Sequence, residues 1–216
     1  IEGLHFHALC ESSSYDLEKV LSAFESGFGH LIPSLKWVNM GGGHLMTRQG
    51  YDTEHLIKTI SEFRSRHPHL KVILEPGSAF TWRTGDLAAS VVDIVENDGI
   101  STAILDVSFA CHMPDTLEMP YRPDVLESVD KEQSNGRLYR LGGNSCLSGD
   151  FMGDYYFPED LKIGDRITLR DMNHYTTVKT NMFNGVQHPD MVLSRIGGEV
   201  EILRHFDYSD YKNRMS

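Results

Sequence analysis

The first third of the chain alternates strand and helix in a single order, and that order leaves few folds open. Leu4–Leu9 reads as a short strand, and Tyr15–Phe28 sets Leu17, Val20, Leu21 and Phe24 at helical spacing. Leu35–Met40 is the next strand. Thr53–Arg66 is the next helix, with Leu56, Ile57, Ile60 and Phe63 on one face, Asp52 or Thr53 to cap it and His67-Pro68 to end it. Leu70–Leu74 is a third strand, closed by Glu75-Pro76-Gly77. A βαβαβ run with Val-, Ile- and Leu-rich strands calls for a parallel sheet.

The pattern changes near Thr84. Gly85–Asn97, Ile100–Phe109, Leu138–Leu141, Arg166–Leu169 and Glu199–Leu203 read as strands, with turn signals at Asn97-Asp98-Gly99, Asn135-Gly136 and Lys162–Asp165. No convincing amphipathic helix separates them. The expected architecture is therefore α/β followed by all-β, with residues 1–83 as the α/β part. Residues 84–216 are a mostly antiparallel β domain whose last residues return towards the first part. Three strand–helix units fall short of the roughly eight that close a barrel. There is no initiator Met and a strand opens almost at once, so the expectation is the last part of a barrel whose beginning is missing.

Ligands of parallel α/β sheets sit at the carboxyl ends of the strands. Three motifs fall there: His5-x-His7, Gly41-Gly42-Gly43 and Glu75-Pro76-Gly77. Three glycines beside a coming helix let backbone N–H groups approach an anion such as a phosphate, or form only a tight turn. Glu75 is expected half-buried, where it would want a cationic partner such as a protonated pyridine nitrogen, or a salt bridge. His5 and His7, two apart on a strand, face one side. They could be half of a metal site, although that needs further ligands at other strand ends. His7 could instead lay its ring on a flat cofactor, and packing is the expected fate of one of the pair.

Cys146 lies among small residues in Gly142–Asp150, which makes its thiol approachable as a proton donor or nucleophile. Cys10 and Cys111 are expected to be small buried hydrophobes. Three widely spaced cysteines make no disulfide framework, so free thiols and a reducing cytoplasmic setting are expected. The 20 Lys and Arg against 31 Asp and Glu leave a net charge of −11, which disfavours a nucleic-acid partner and suits a cationic ligand. No apolar run approaches the roughly 20 residues of a membrane span. Tyr175, in His174-Tyr175-Thr176 ahead of Phe183-Asn184-Gly185, could reach a phosphate with its hydroxyl.

Taken in order, the His-Phe-His, Gly-Gly-Gly, Glu-Pro-Gly, Gly-x-x-Cys-x-x-x-Asp and Tyr-Thr…Phe-Asn-Gly motifs resemble the fold-type III pyridoxal-phosphate decarboxylases. That family includes ornithine, arginine and diaminopimelate decarboxylases. The stretches Leu4–Glu11 and Gly143–Asp150 look nearest to its branch acting on carboxynorspermidine or carboxyspermidine. The resemblance covers about residues 3 to 206. It implies the C-terminal part of an alanine racemase-like (β/α)8 barrel plus a β domain, with pyridoxal 5'-phosphate as cofactor. It further implies a small cationic substrate and a homodimer with shared active sites. In that frame His7 stacks on the cofactor ring, and Gly41, Gly42, Gly43 and Gly77 hold the phosphate. Glu75 pairs with the pyridine nitrogen and Tyr175 touches the phosphate. Cys146 protonates the product carbon in the partner's site, and Asp115 and Asp150 face the substrate. Three positions depart from the family. Leu147 stands where ornithine decarboxylases have Asp, and Ser78 where many relatives have Arg. No lysine matches the Schiff-base position, since Lys36 and Lys71 precede or begin strands. A diaminopimelate decarboxylase and a non-catalytic homologue are the alternatives.

Overall fold

In the computed structural model, which describes residues 1–215, the chain divides into a unit of Ile1–Trp82 and a second unit from Arg83 on. The first unit runs β1 (Gly3–His5), α1 (Ser14–Phe28), β2 (Trp37–Asn39), α2 (Thr53–Arg66), β3 (Lys71–Ile73) and the one-turn α3 (Ser78–Thr81). The strands pair in parallel in the order β1-β2-β3, with Gly3, Trp37 and Lys71 in one row.

Local chemistry sets the helix ends. The Ser13 hydroxyl accepts the Asp16 N–H while the Asp16 carboxylate accepts the Ser13 N–H, a reciprocal cap that starts α1. The Ser13 hydroxyl also donates to Asp16 Oδ2 at 2.6 Å, and that bond first, the Ser13 N–H second, lower the Asp16 pKa to about 2. Asp52 starts α2 by accepting the His55 N–H at 2.9 Å. Leu17, Leu21 and Phe24 of α1 and Leu56 and Phe63 of α2 pack with Val38, Met40 and Leu70 into one core. Each such side chain contributes about 1.5–3 kcal/mol on burial. Glu25 of α1 binds Arg66 at 2.8 and 3.0 Å and His67 at 2.8 Å, which ties the two helices together.

The strands are shorter than the sequence pattern implies. β1 stops at His5, so His7 lies in the loop beyond it rather than on the strand. The triple glycine follows β2, but α2 begins only at Thr53, so the glycines do not adjoin a helix N-terminus.

In the second unit β4 (Leu87–Asn97) and β5 (Ile100–Leu105) form a hairpin across Asp98 and Gly99, both at positive φ. Two short helices follow, α4 (Phe109–His112) and α5 (Pro114–Glu118), then β6 (Leu138–Gly142), β7 (Phe151–Tyr156) and β8 (Arg166–Leu169). The sheet order is β7-β6-β5-β4-β8; only β5 and β6 run parallel. Val91, Ala103, Leu105, Phe109, Leu141, Phe157, Ile167 and Leu169 make its core. After α6 (Tyr175–Val178), β9 (Met191–Ser194) and β10 (Val200–Arg204) form a separate antiparallel ribbon, and α7 (Tyr208–Arg214) follows.

One expectation is corrected here, and two further features went unread. The expected strand Ile100–Phe109 ends at Leu105, because Ser108 caps Cys111 and turns Phe109–His112 into a helix. Only the short α4, α5 and α6 lie between the strands, and α7, after β10, carries its own reciprocal cap between Asp207 and Asp210. Strand β7 had no period-2 signal because its pairing slips at Gly153: Arg140 faces Asp154 while Leu141 faces Met152. Among the described residues no helix is long and apolar enough to cross a membrane.

Candidate functional site

The first unit gathers its chemistry just past the carboxyl ends of β1, β2 and β3. Asn39, the last residue of β2, is the hub. Its Nδ2 donates to Glu75 Oε1 at 2.6 Å and its Oδ1 accepts the Gly41 N–H at 2.9 Å. The Glu75 N–H donates to the Gly41 carbonyl at 2.7 Å, and the Gly42 N–H donates to His7 Nδ1 at 3.4 Å. His5 Nε2 lies 3.6 Å from Glu75 Oε2. The structure therefore brings His7, Gly41, Gly42 and Glu75 together, with His5 and Asn39 added. Asn39 was not singled out from sequence; its one signal is its place two residues before the glycines.

The glycines are required by space as well as by φ. A Cβ on Gly42 would sit 2.3 Å from the Glu75 carbonyl oxygen and 3.4 Å from the His7 ring. Gly41 and Gly43 have φ of +68° and +86°. Gly41 and Gly42 already spend their N–H groups on Asn39 and His7. Gly43 and Gly77 make no backbone N–H bond among the described residues.

Glu75 is not half-buried as expected. Its side chain is 49% exposed, because it stands on a loop beyond β3 and is held there by Asn39 and His5. An exposed carboxylate beside two imidazoles is free to meet an incoming cation. The donor atoms of His5, His7 and Glu75 all lie within 4.8 Å of one another, a set that a divalent transition metal also accepts. His44, directly after the glycines, is buried with both ring nitrogens lacking a hydrogen bond. Burial, and then the neighbouring His7, push its pKa down. Lys36, paired with Glu2, and Lys71 lie at the opposite, amino ends of the strands.

In the second unit Cys146 is exposed, on the loop between β6 and β7. Asn184 Nδ2 donates to its sulfur at 3.1 Å. Cys111 is buried as expected; Cys10 is exposed, because β1 ends before it and its loop is open. Asp150, expected at the substrate, is 5% exposed and committed locally. Its Oδ1 accepts the Ala110 N–H at 2.9 Å and its Oδ2 accepts the Ser145 N–H at 3.0 Å. Its carboxylate thus shapes the loop that carries Cys146.

Asp115, in α5, is 7% exposed. Its Oδ2 accepts from the Tyr121 hydroxyl at 3.2 Å and from Thr176 Oγ1 at 3.5 Å, while Oδ1 is buried without a partner. A buried, unpaired carboxylate oxygen favours a cationic donor. Burial first and Asp115 second raise the Tyr121 pKa well above its ordinary value, so its hydroxyl stays a donor. Tyr175, adjoining Thr176, opens α6 with its side chain 58% exposed.

Residues 15–173 match the family model described as pyridoxal-dependent decarboxylase, C-terminal sheet domain. The chain is 53% identical over 215 residues to a carboxyaminopropylagmatine decarboxylase of Synechocystis, covering all of this chain and 55% of that protein. It is 48% identical to the carboxynorspermidine/carboxyspermidine decarboxylase of Campylobacter jejuni, covering 99% of this chain and 58% of the relative. The crystal structure of carboxynorspermidine decarboxylase complexed with norspermidine, from Campylobacter jejuni, superposes with a TM-score of 0.89 at 47% identity. That match covers 99% of this chain and 60% of the solved one. A viral arginine decarboxylase at 20% identity and a TM-score of 0.69 shares the fold. The chain thus spans somewhat more than half the length of these relatives.

Proposed function

This chain belongs to the pyridoxal-dependent decarboxylases, and from that membership we propose that it serves the decarboxylation of a carboxylated polyamine, carboxynorspermidine or carboxyspermidine, giving norspermidine or spermidine. The observation that carries the reading is the strand-end cluster, in which Asn39 holds an exposed Glu75 beside His7 and the glycine turn.

The residues present suit the cofactor. Glu75 offers a carboxylate to a pyridine N–H, and Asn39 and His5 fix its direction. His7, tied to the Gly42 N–H, offers a flat ring for stacking. Gly43 and Gly77 offer uncommitted backbone N–H groups to a phosphate, beside the closely packed Gly41 and Gly42. When bound, pyridoxal phosphate supplies an electron sink for the bond electrons left behind as CO2 departs. Glu75 keeps the proton on the ring nitrogen that makes this sink effective. Cys146 delivers a proton to the substrate carbon, in the site of the partner subunit of a homodimer. Asp115, with Tyr121 and Thr176, receives a substrate amine, and Asp150 holds the Cys146 loop. No lysine of this chain is assigned to the Schiff base. The enzyme works in the cytoplasm, without nucleic-acid or membrane partners.

A second substrate, carboxyaminopropylagmatine, is favoured by the 53% identity to the Synechocystis protein. Diaminopimelate has weaker support, a relative at 26% identity over 56% of the chain.

The test is Glu75→Gln in the full-length enzyme assayed with carboxynorspermidine. A neutral amide cannot hold the ring proton, so the turnover rate should fall about a hundredfold or more. An unchanged rate would overturn the assignment.

A further inference from the structure

The loops that carry Cys146 and Asn184 are fastened to one residue. The Ala110 N–H donates to Asp150 Oδ1 at 2.9 Å, and the Ala110 carbonyl accepts from Asn181 Nδ2 at 3.1 Å. On one side Asp150 Oδ2 takes the Ser145 N–H at 3.0 Å, and the Asn144 N–H donates to the Val107 carbonyl at 3.0 Å. On the other side the Asn181 N–H donates to the Cys111 carbonyl at 2.8 Å, and Asn181 Oδ1 accepts the Phe183 N–H at 3.0 Å. Each loop is therefore pinned one residue before the group it carries, at Ser145 before Cys146 and at Phe183 before Asn184. Asn184 itself sits at φ 54°, ψ 24°, a left-handed conformation that Gly, Asn and Asp tolerate best. This frame sets the Asn184 amide 3.1 Å from Cys146 Sγ.

We propose that Asn184 is a positioning residue: its amide donates to the Cys146 sulfur and fixes where that sulfur points. An N–H aimed at sulfur stabilises the anion that remains once a thiol gives up its proton. It also restricts the rotation of a side chain that is otherwise exposed. The catalytic meaning rests on the proposed role of Cys146 as proton donor; the hydrogen bond and its effect on the thiol do not. Asp150 and Asn181 act one step further out, through the backbone of the two loops.

The experiment is alkylation of the chain by iodoacetamide at pH 7, with the rate at each cysteine read by peptide mass spectrometry. Exposed Cys10, in the first unit, is the internal reference. Asn184→Gly keeps the left-handed backbone and removes the donor. The Cys146 rate should drop about threefold, since the sulfur attacks as its anion and a donated N–H stabilises charge on sulfur. Asn184→Asp replaces the donor with a carboxylate of the same shape and should slow Cys146 further. Cys10 should react at its original rate in both. Unchanged or faster alkylation of Cys146 in both variants would overturn the proposal. The readout needs no turnover, so the two readings separate. A slowed Cys146 in an enzyme that decarboxylates nothing keeps this inference and removes the functional reading; the reverse pattern does the opposite.

Discussion

Single residues decide whether three separate loops can meet past the strands. Gly42 is the tightest case. A methyl group there would lie 2.3 Å from the Glu75 carbonyl oxygen, which is backbone and cannot swing aside. Gly42→Ala should cost about 1–3 kcal/mol in urea unfolding, in the range of overpacked cores. It should also displace Glu75 and weaken pyridoxal phosphate binding in the full-length enzyme. A variant with wild-type stability and cofactor affinity would mean that these loops have slack. Asn39 is the polar counterpart. One amide orients Glu75 and the turn together, using both its donor and its acceptor.

At the scale of elements, α4 carries the titration that most affects folding. His112 is 2% exposed, and its Nδ1 accepts the Ser108 N–H at 3.1 Å. Burial first, and the charge of His188 second, lower its pKa to about 4, against the Gln187 backbone and then Asp150 and Asp106, which act the other way. The unfolded chain keeps the ordinary value near 6.5, so it binds the proton first as pH falls. Folding is unaffected by this group above pH 6.5 and is penalised progressively from there down to about 4. Urea unfolding at pH 7.5 and pH 5 should show a loss of about 2 kcal/mol from this source. His112→Asn should remove that part of the slope; equal slopes in both proteins would contradict the account.

The elements also show where sequence reading reaches. Helices α1 and α2 were legible because their apolar residues repeat at helical spacing, and Asp52 sits where the cap of α2 belongs; the Ser13 cap of α1 was not read from the sequence. α4, α5 and α6 have only four or five residues each, too few to show a period. β7 was hidden by Gly153, whose bulge breaks the alternation. The candidate site divides in the same way. The glycines, Glu75, His7 and Cys146 announce themselves as motifs. Asn39 and the bond from Asn184 to Cys146 are contacts through space. Asn184 lay in a motif already noted, but no spacing rule gives its partner.

On the scale of the whole molecule, two units each hold part of the proposed chemistry: a cofactor corner past the parallel strands, and a thiol with a buried carboxylate on the β unit. The net charge of −11 and the Asp115 oxygen without a partner among the described residues fit the proposed cationic substrate. Leu147, directly after Cys146, leaves that position apolar, and the proposed function expects ornithine to be a poor substrate. The claim that matters most is the substrate class, and CO2 release by the full-length enzyme with pyridoxal phosphate measures it most directly. Carboxynorspermidine, carboxyspermidine, carboxyaminopropylagmatine, diaminopimelate and ornithine would be compared by kcat/KM. The account predicts that carboxynorspermidine or carboxyspermidine leads and that ornithine trails. Faster turnover of diaminopimelate or ornithine than of every carboxylated polyamine would contradict it.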